Sequence, residues 1–357
     1  MKKYLIIGLI LAVIGAMVIV PLLKNDGVDE EQIGATFEFK ENLATRWDEA
    51  VKIKINVNAE DIQKVELFYN DSLFQTWMKP SKTISYLFKA GFYGLGTRSL
   101  KLVSTREDGT TYEDERMVRV LSDIVPEVWF AKPVNSYPHS ETSFTQGLEF
   151  NNGILFESTG QKGQSMVAQI DMTTGAILKK MGLDATYFGE GITVFGDKVY
   201  QLTWQEKKCF VYNKNTLQIE DDFTYNGEGW GLCNDGKSLI MSDGSERLVF
   251  RNPKTFEIER TIEVCSDKDA IANLNELEYG PDGFIYANVW MTNKVVVINP
   301  INGKVIAEID GTELVVQGKG KGDVLNGIAY NPATKKWYMT GKNWIKLFEV
   351  NFDKAAI

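Results

Sequence analysis

A chain of 357 residues with 44 % hydrophobic and 24 % charged side chains carries enough apolar material for two globular domains and too much for a disordered protein. A net charge of -9, with no Lys/Arg cluster interleaved with aromatics, leaves no basic stripe to neutralise phosphates and excludes nucleic acid as the expected partner. One histidine and three cysteines without a CxxC pair exclude a zinc site of imidazole or thiolate ligands.

Met1-Lys2-Lys3 precedes an uncharged run from Tyr4 to Leu23, closed by Lys24-Asn25-Asp26. That length spans a bilayer. The segment reads as an uncleaved membrane anchor or a cleaved signal peptide, and in both cases Lys2 and Lys3 hold the N-terminus in the cytoplasm and send the chain beyond Leu23 to the periplasm or the cell surface. Asn25 to Ile33 is a short polar linker.

From Ala35 to Asp123 short runs alternate apolar and polar residues, among them Val51 to Ile55, Val65 to Tyr69, Ser99 to Val103 and Met117 to Val120. Period two between turn residues means half-buried strands. About seven such strands predict a small β-sandwich of immunoglobulin-like type, with Asp108-Gly109 as a hairpin turn. No catalytic residue types gather there, so the module is expected to serve as a spacer or binding unit.

After Val125-Pro126, and as far as Phe352, the chain repeats. Similar segments begin at Gln146, Glu190, Trp230, Asn275 and Asn326, at spacings of 44, 40, 45 and 51 residues. A period near 45 residues with four strands each is the signature of propeller blades. The last repeat is one strand short, and Val128 to Ala131 is placed to supply it. The pattern predicts a five-bladed all-β propeller, with the five segment starts converging at one mouth of the channel.

Glu190 stands out at that mouth. It lies between Gly189 and Gly191 behind Phe188, a setting in which an apolar wall raises a carboxyl pKa. Cys209, Cys233 and Cys265 read as small buried hydrophobes, or as one disulfide and a free thiol. His139 reads as a loop residue near the mouth.

Tyr137-Pro138-His139, Phe144-Thr145-Gln146-Gly147-Leu148, Phe188-Gly189-Glu190-Gly191, Leu274-Asn275-Glu276-Leu277-Glu278 and Gly341-Lys342-Asn343-Trp344 occur in this order at blade spacing. Together they resemble the glutaminyl cyclases of the plant and bacterial type, over Val125 to Phe352. The resemblance implies a five-bladed propeller that converts N-terminal glutamine of peptides and proteins to pyroglutamate with loss of ammonia. It implies no catalytic metal or other cofactor, leaves room for a structural cation in the channel, and casts Glu190 as the acid/base. A monomer is expected.

The reaction needs an orienting pocket, a proton relay and a donor for the developing oxyanion. Lys342, Gln146 and an indole N–H of Trp204 or Trp230 are candidates for the donor. Phe144, Phe188, Trp204, Trp230 and Trp290 are candidates for the substrate wall, and Asn275 or Glu276 for the free α-amine; Asp243 fits a site role or a turn equally. Two rival readings are a metal-dependent lactonase-type hydrolase, with Glu190, Asn275 and Asn326 around a hard cation, and a propeller used only as a binding platform.

Overall fold

The computed structural model describes residues 34–39 and 43–355. The expected anchor, Tyr4 to Leu23, and its linker lie outside the described residues, and no described helix is long and apolar enough to cross a membrane.

The alternating runs of the first part form two sheets. Ala35–Phe37, Ala50–Val57 and Thr83–Lys89 make one; Leu43–Arg46, Thr111–Leu121, Gly96–Arg106, Ile62–Tyr69 and Ser72–Met78 make the other, in that spatial order. Ile53, Ile55, Val65, Leu67, Leu100, Leu102, Val118 and Val120 fill the space between them, each one residue of an in/out pair, as period two requires. The Gly96–Arg106 and Thr111–Leu121 strands are joined through Asp108-Gly109, where Gly109 takes a φ of 85°.

The remainder is all-β and propeller-like. Three antiparallel four-stranded meanders start at Thr145–Asn151, Gly189–Phe195 and Leu232–Asn234. An eight-stranded sheet comes next, with Leu274–Tyr279 at one end and Leu325–Asn331 at the other. Burial falls outward along each meander: Thr145–Asn151 is buried on both faces, while Ala176–Gly182, the outermost strand of the same sheet, is exposed almost throughout. The innermost strands pack side by side in chain order, and Leu325–Asn331 packs back on Thr145–Asn151, closing a ring.

The ring is tight because glycine permits it. A Cβ on Gly147 would lie 2.5 Å from the Ile192 nitrogen, one on Gly191 2.4 Å from the Leu232 nitrogen, and one on Gly231 1.9 Å from the Asn275 oxygen. Each glycine therefore lets its strand touch the backbone of the next.

The strand expected around Val128 to Ala131 is longer than the sequence suggests, Glu127–Pro138, and it has two partners. It runs antiparallel to Lys346–Lys354, from the pair Trp129/Lys354 to the pair Pro138/Lys346. Its first residues also run parallel to Val305–Asp310, which makes one sheet of the last two repeats. A short helix, Thr312–Gly318, sits between Val305–Asp310 and Leu325–Asn331.

The two parts meet along the Glu263 to Asp269 segment. Arg98 pairs with Glu263 at 2.5 Å, Arg119 with Asp269 at 2.9 Å, and Lys304 with Asp123 at 2.6 Å. Cys209, Cys233 and Cys265 are all free and buried, and Cys265 packs within the core of the first part.

Candidate active site

The mouth of the ring holds a cavity of about 240 Å³ lined by Phe144, Gln146, Phe188, Glu190 and Trp204 from one side and by Trp230, Asn275, Trp290, Asp323 and Lys342 from the other. It is smaller than the ~300–1,000 Å³ of drug-sized pockets.

Local irregularity in the innermost strands aims these groups. The ladder slips between Thr145 and Gly147, between Gly189 and Ile192, between Leu274 and Leu277, and between Leu325 and Ile328. Gln146, Glu190, Asn275 and Asn326 each occupy such a bulge, which frees them from the strict in/out alternation and turns them toward the axis.

Glu190 is only 5 % exposed. Gln146 Nε2 donates to its Oε1 at 2.9 Å, and Asn326 Nδ2 donates in turn to Gln146 Oε1 at 3.4 Å and to the Thr145 carbonyl at 2.9 Å. The Ser158 hydroxyl donates to the Glu190 carbonyl. Burial pushes the Glu190 carboxyl well above the ordinary carboxylate range; the Lys342 ammonium pulls against it, and the carboxylates of Glu228 and Glu206 add to it.

Lys342 is 4 % exposed. Its Nζ lies 4.8 Å from the centre of the Phe144 ring and makes no hydrogen bond or ion pair among the described residues. Burial lowers its pKa, partly offset by Glu190 and Asp323. Asn275 is likewise buried, with Oδ1 lacking a hydrogen-bond partner among the described residues. A buried donor and a buried acceptor are thus left open at the cavity, a state that is costly unless something binds there.

The aromatic residues form a belt. Phe144 meets Phe188 edge-on at 6.1 Å, Phe188 meets Trp204 at 5.7 Å, and Trp230 meets Trp290 at 5.4 Å. Glu228 bridges the gap: its Oε2 accepts from Trp204 Nε1 at 2.7 Å and from Trp230 Nε1 at 3.0 Å. Both indole N–H groups, considered from sequence as oxyanion donors, are therefore engaged by Glu228 in this structure.

Two other candidates lie away from the cavity. Glu276, one residue beyond Asn275, points into the channel and accepts the backbone N–H groups of Leu148 at 3.2 Å and Ile328 at 2.8 Å, so it staples strands together and is not free for an amine. Asp243 is consumed by its own turn, accepting from Ser245 and pairing with Arg247 at 2.9 Å. His139 lies in the connection after Glu127–Pro138, as the sequence suggests, with its side chain buried against Glu157.

Sequence reasoning missed Glu228 and Asp323. Glu228 had a signal, since Gly227-Glu228-Gly229 repeats the Gly-Glu-Gly pattern of Glu190. Asp323 had none. It reaches the rim because its N–H donates to the Lys342 carbonyl at 2.7 Å and its carbonyl accepts from Trp344 Nε1 at 2.9 Å.

The chain is similar to known proteins. A crystal structure of a glutaminyl cyclase from Myxococcus xanthus superposes with a TM-score of 0.61 at 36 % identity, covering 65 % of this chain and all of that one. A glutaminyl-peptide cyclotransferase from Arabidopsis thaliana is 37 % identical over 231 residues, 62 % of this chain and 71 % of the relative. The sequence model described as glutamine cyclotransferase matches residues 109–352, and the chain belongs to that family.

Proposed function

We propose that the cavity closes the N-terminal glutamine of peptides to pyroglutamate, with Glu190 moving the proton and Lys342 meeting the oxyanion. The α-nitrogen attacks the carbon of the side-chain amide; the bond from that carbon to the amide nitrogen breaks, and ammonia leaves. The attacking nitrogen loses a proton to the Glu190 carboxylate, and the same proton is returned to the departing nitrogen. A carboxyl group whose pKa burial raises is a better base than a solvated carboxylate and can still return the proton.

Because nucleophile and electrophile belong to one residue, the cavity gains most by freezing the reactive rotamer. The belt of rings confines the glutamine methylenes, and the open Asn275 Oδ1 is an acceptor for the α-amine N–H. Lys342, desolvated and with no hydrogen bond or ion pair among the described residues, is the donor for the negative charge that grows on the amide oxygen. The relay balances with side chains alone, so we propose that no metal takes part. A hard cation held by Glu190, Asn275 and Asn326, as in the hydrolase alternative, would face the Lys342 ammonium and the Gln146 N–H.

In the same reading the closed ring of innermost strands is a five-bladed propeller whose fourth and fifth blades share Glu127–Pro138, and the first part is an immunoglobulin-like sandwich acting as a spacer. This reading takes 35–123 as the sandwich and 125–352 as the propeller.

The observation that carries the function is the buried Glu190 carboxyl held by Gln146 in a cavity that also holds Lys342. Glu190→Gln keeps the shape and cannot relay a proton. Ammonia release from a Gln-initiated dipeptide is expected to fall by about 10²–10⁴-fold, while the unchanged enzyme keeps its rate in chelator. Turnover of the variant within about tenfold of the parent overturns the assignment of Glu190.

A further inference from the structure

We infer that His139 and Glu157 are positioning residues for this site, forming a buried imidazolium–carboxylate clasp that locks the Phe144–Gln146 segment to the turn carrying Lys342. The inference rests on the reading of the cavity as the cyclisation site.

The two reactive walls come from remote parts of the chain, the Phe144–Gln146 segment and the turn at Lys342. Glu157 Oε1 accepts from the Thr145 hydroxyl at 2.7 Å and Oε2 from the Ser143 hydroxyl at 3.2 Å, so this one carboxylate grips both neighbours of Phe144. Across from it, His139 Nε2 lies 3.0 Å from Glu157 Oε1, and Nδ1 lies 2.7 Å from the carbonyl oxygen of Trp344, two residues past Lys342. The Asn343 N–H donates to the Ser143 carbonyl at 2.8 Å and its side chain to the Glu141 carbonyl at 2.9 Å, closing the same seam from the outside.

Both ring nitrogens thus face oxygen acceptors. A neutral imidazole has one N–H and would set a lone pair against one of those oxygens; only the doubly protonated ring donates to both. Glu157 is the charged group that faces the ring. The segment from Ser140 to Thr145 presents hydroxyls to the pair, the Lys342 turn presents a backbone carbonyl, and Leu155, Ile170, Met172 and Leu347 wall off the rest. Burial alone would drive the proton off His139, but the Glu157 carboxylate and the Trp344 carbonyl outweigh it and hold the ring above its ordinary value. For Glu157, burial is likewise outweighed, by His139 and the two hydroxyls, and the carboxyl stays below the ordinary range.

As the sign of these shifts requires, the clasp is complete between the lowered Glu157 value and the raised His139 value and opens as pH rises through the latter. Loss of the clasp lets Lys342 drift relative to Glu190, and misplacement by about an ångström costs as much as 10²-fold in turnover.

His139 is the sole histidine, so its ring signals in an NMR titration of the untagged protein are unambiguous. A ring titrating above the ordinary imidazole value is expected; a ring titrating at or below it overturns the inference. In steady-state assays on a Gln-initiated dipeptide, His139→Gln is expected to lower kcat by about 10–100-fold with little change in KM. It should also abolish the alkaline loss of kcat that tracks the ring titration. Thr145→Val removes one hydroxyl from Glu157 and leaves the ion pair, so it tests the clasp should His139→Gln fail to fold; a severalfold fall in kcat is expected. A folded His139→Gln or Thr145→Val enzyme with parental kcat and an unchanged pH profile overturns the inference while leaving Glu190 untouched. An active Glu190→Gln enzyme defeats the site assignment instead.

Discussion

Among single residues, Lys342 is the one whose surroundings most need a ligand. A buried ammonium resting on a phenyl ring, with no hydrogen bond or ion pair among the described residues, is expensive in the free protein and is stabilised once an anionic oxygen arrives. Lys342→Met keeps the stem and removes the charge. It is expected to lower kcat by roughly 10²–10³-fold and to change KM little, the pattern of a contact made in the transition state. Steady-state kinetics on Gln-initiated substrates of two lengths checks this; a raised KM at constant kcat would assign Lys342 to the chain beyond the glutamine. Glu228 illustrates the opposite case. Desolvation raises its carboxyl, but the donors Trp230, Gln205 and Trp204 prevail and keep it low, so it remains an anion that fixes two rings of the wall.

At the level of strands, the bulge is the device that converts a repeat into a site. Sequence periodicity locates the start of each innermost strand, and for that reason Gln146, Glu190, Trp230 and Asn275 are all legible as neighbours at one mouth. Periodicity does not say which of two adjacent residues inside a bulge faces the cavity, and so Asn275 is distinguishable from Glu276 only in three dimensions. Asp323 and Glu228 lie in connections, which carry no period, and the double pairing of Glu127–Pro138 depends on contacts too distant in sequence for any local pattern to encode. In sequence the flanking glycines of Glu190 look like openings toward a ligand; Gly191 is instead an inter-strand contact. Gly191→Ala would put a Cβ 2.4 Å from the Leu232 nitrogen and 2.6 Å from the Gly231 carbonyl carbon, atoms that cannot move without parting two innermost strands. A loss of about 1–3 kcal/mol in denaturant unfolding is expected, with Gly236→Ala, where no heavy atom lies within 4 Å but φ is 79°, as a test of whether crowding or backbone conformation dominates.

For the molecule as a whole, the channel carries buried carboxyls whose hold on the proton is strengthened by burial. Burial pushes Glu149 up to about 7 and Glu276 up to about 8, and it raises Glu278 and Glu190 well above the usual range. Each of these is raised on folding, so the folded protein keeps protons that the unfolded chain releases above about 4.5, and stability must fall with pH from there toward 8. The melting temperature is therefore expected to decline between about pH 5 and pH 8, and Glu276→Gln is expected to flatten the decline; a profile rising over that interval would contradict the assignment. The strand Glu127–Pro138 has a further consequence, which concerns the order of events during synthesis. Its partner Lys346–Lys354 emerges more than two hundred residues later, so the sandwich can fold while the ring still lacks its last edge. Until Lys354 has left the ribosome, Glu127–Pro138 presents an unpaired backbone edge. The cell must protect that edge for the whole time it takes to make the propeller.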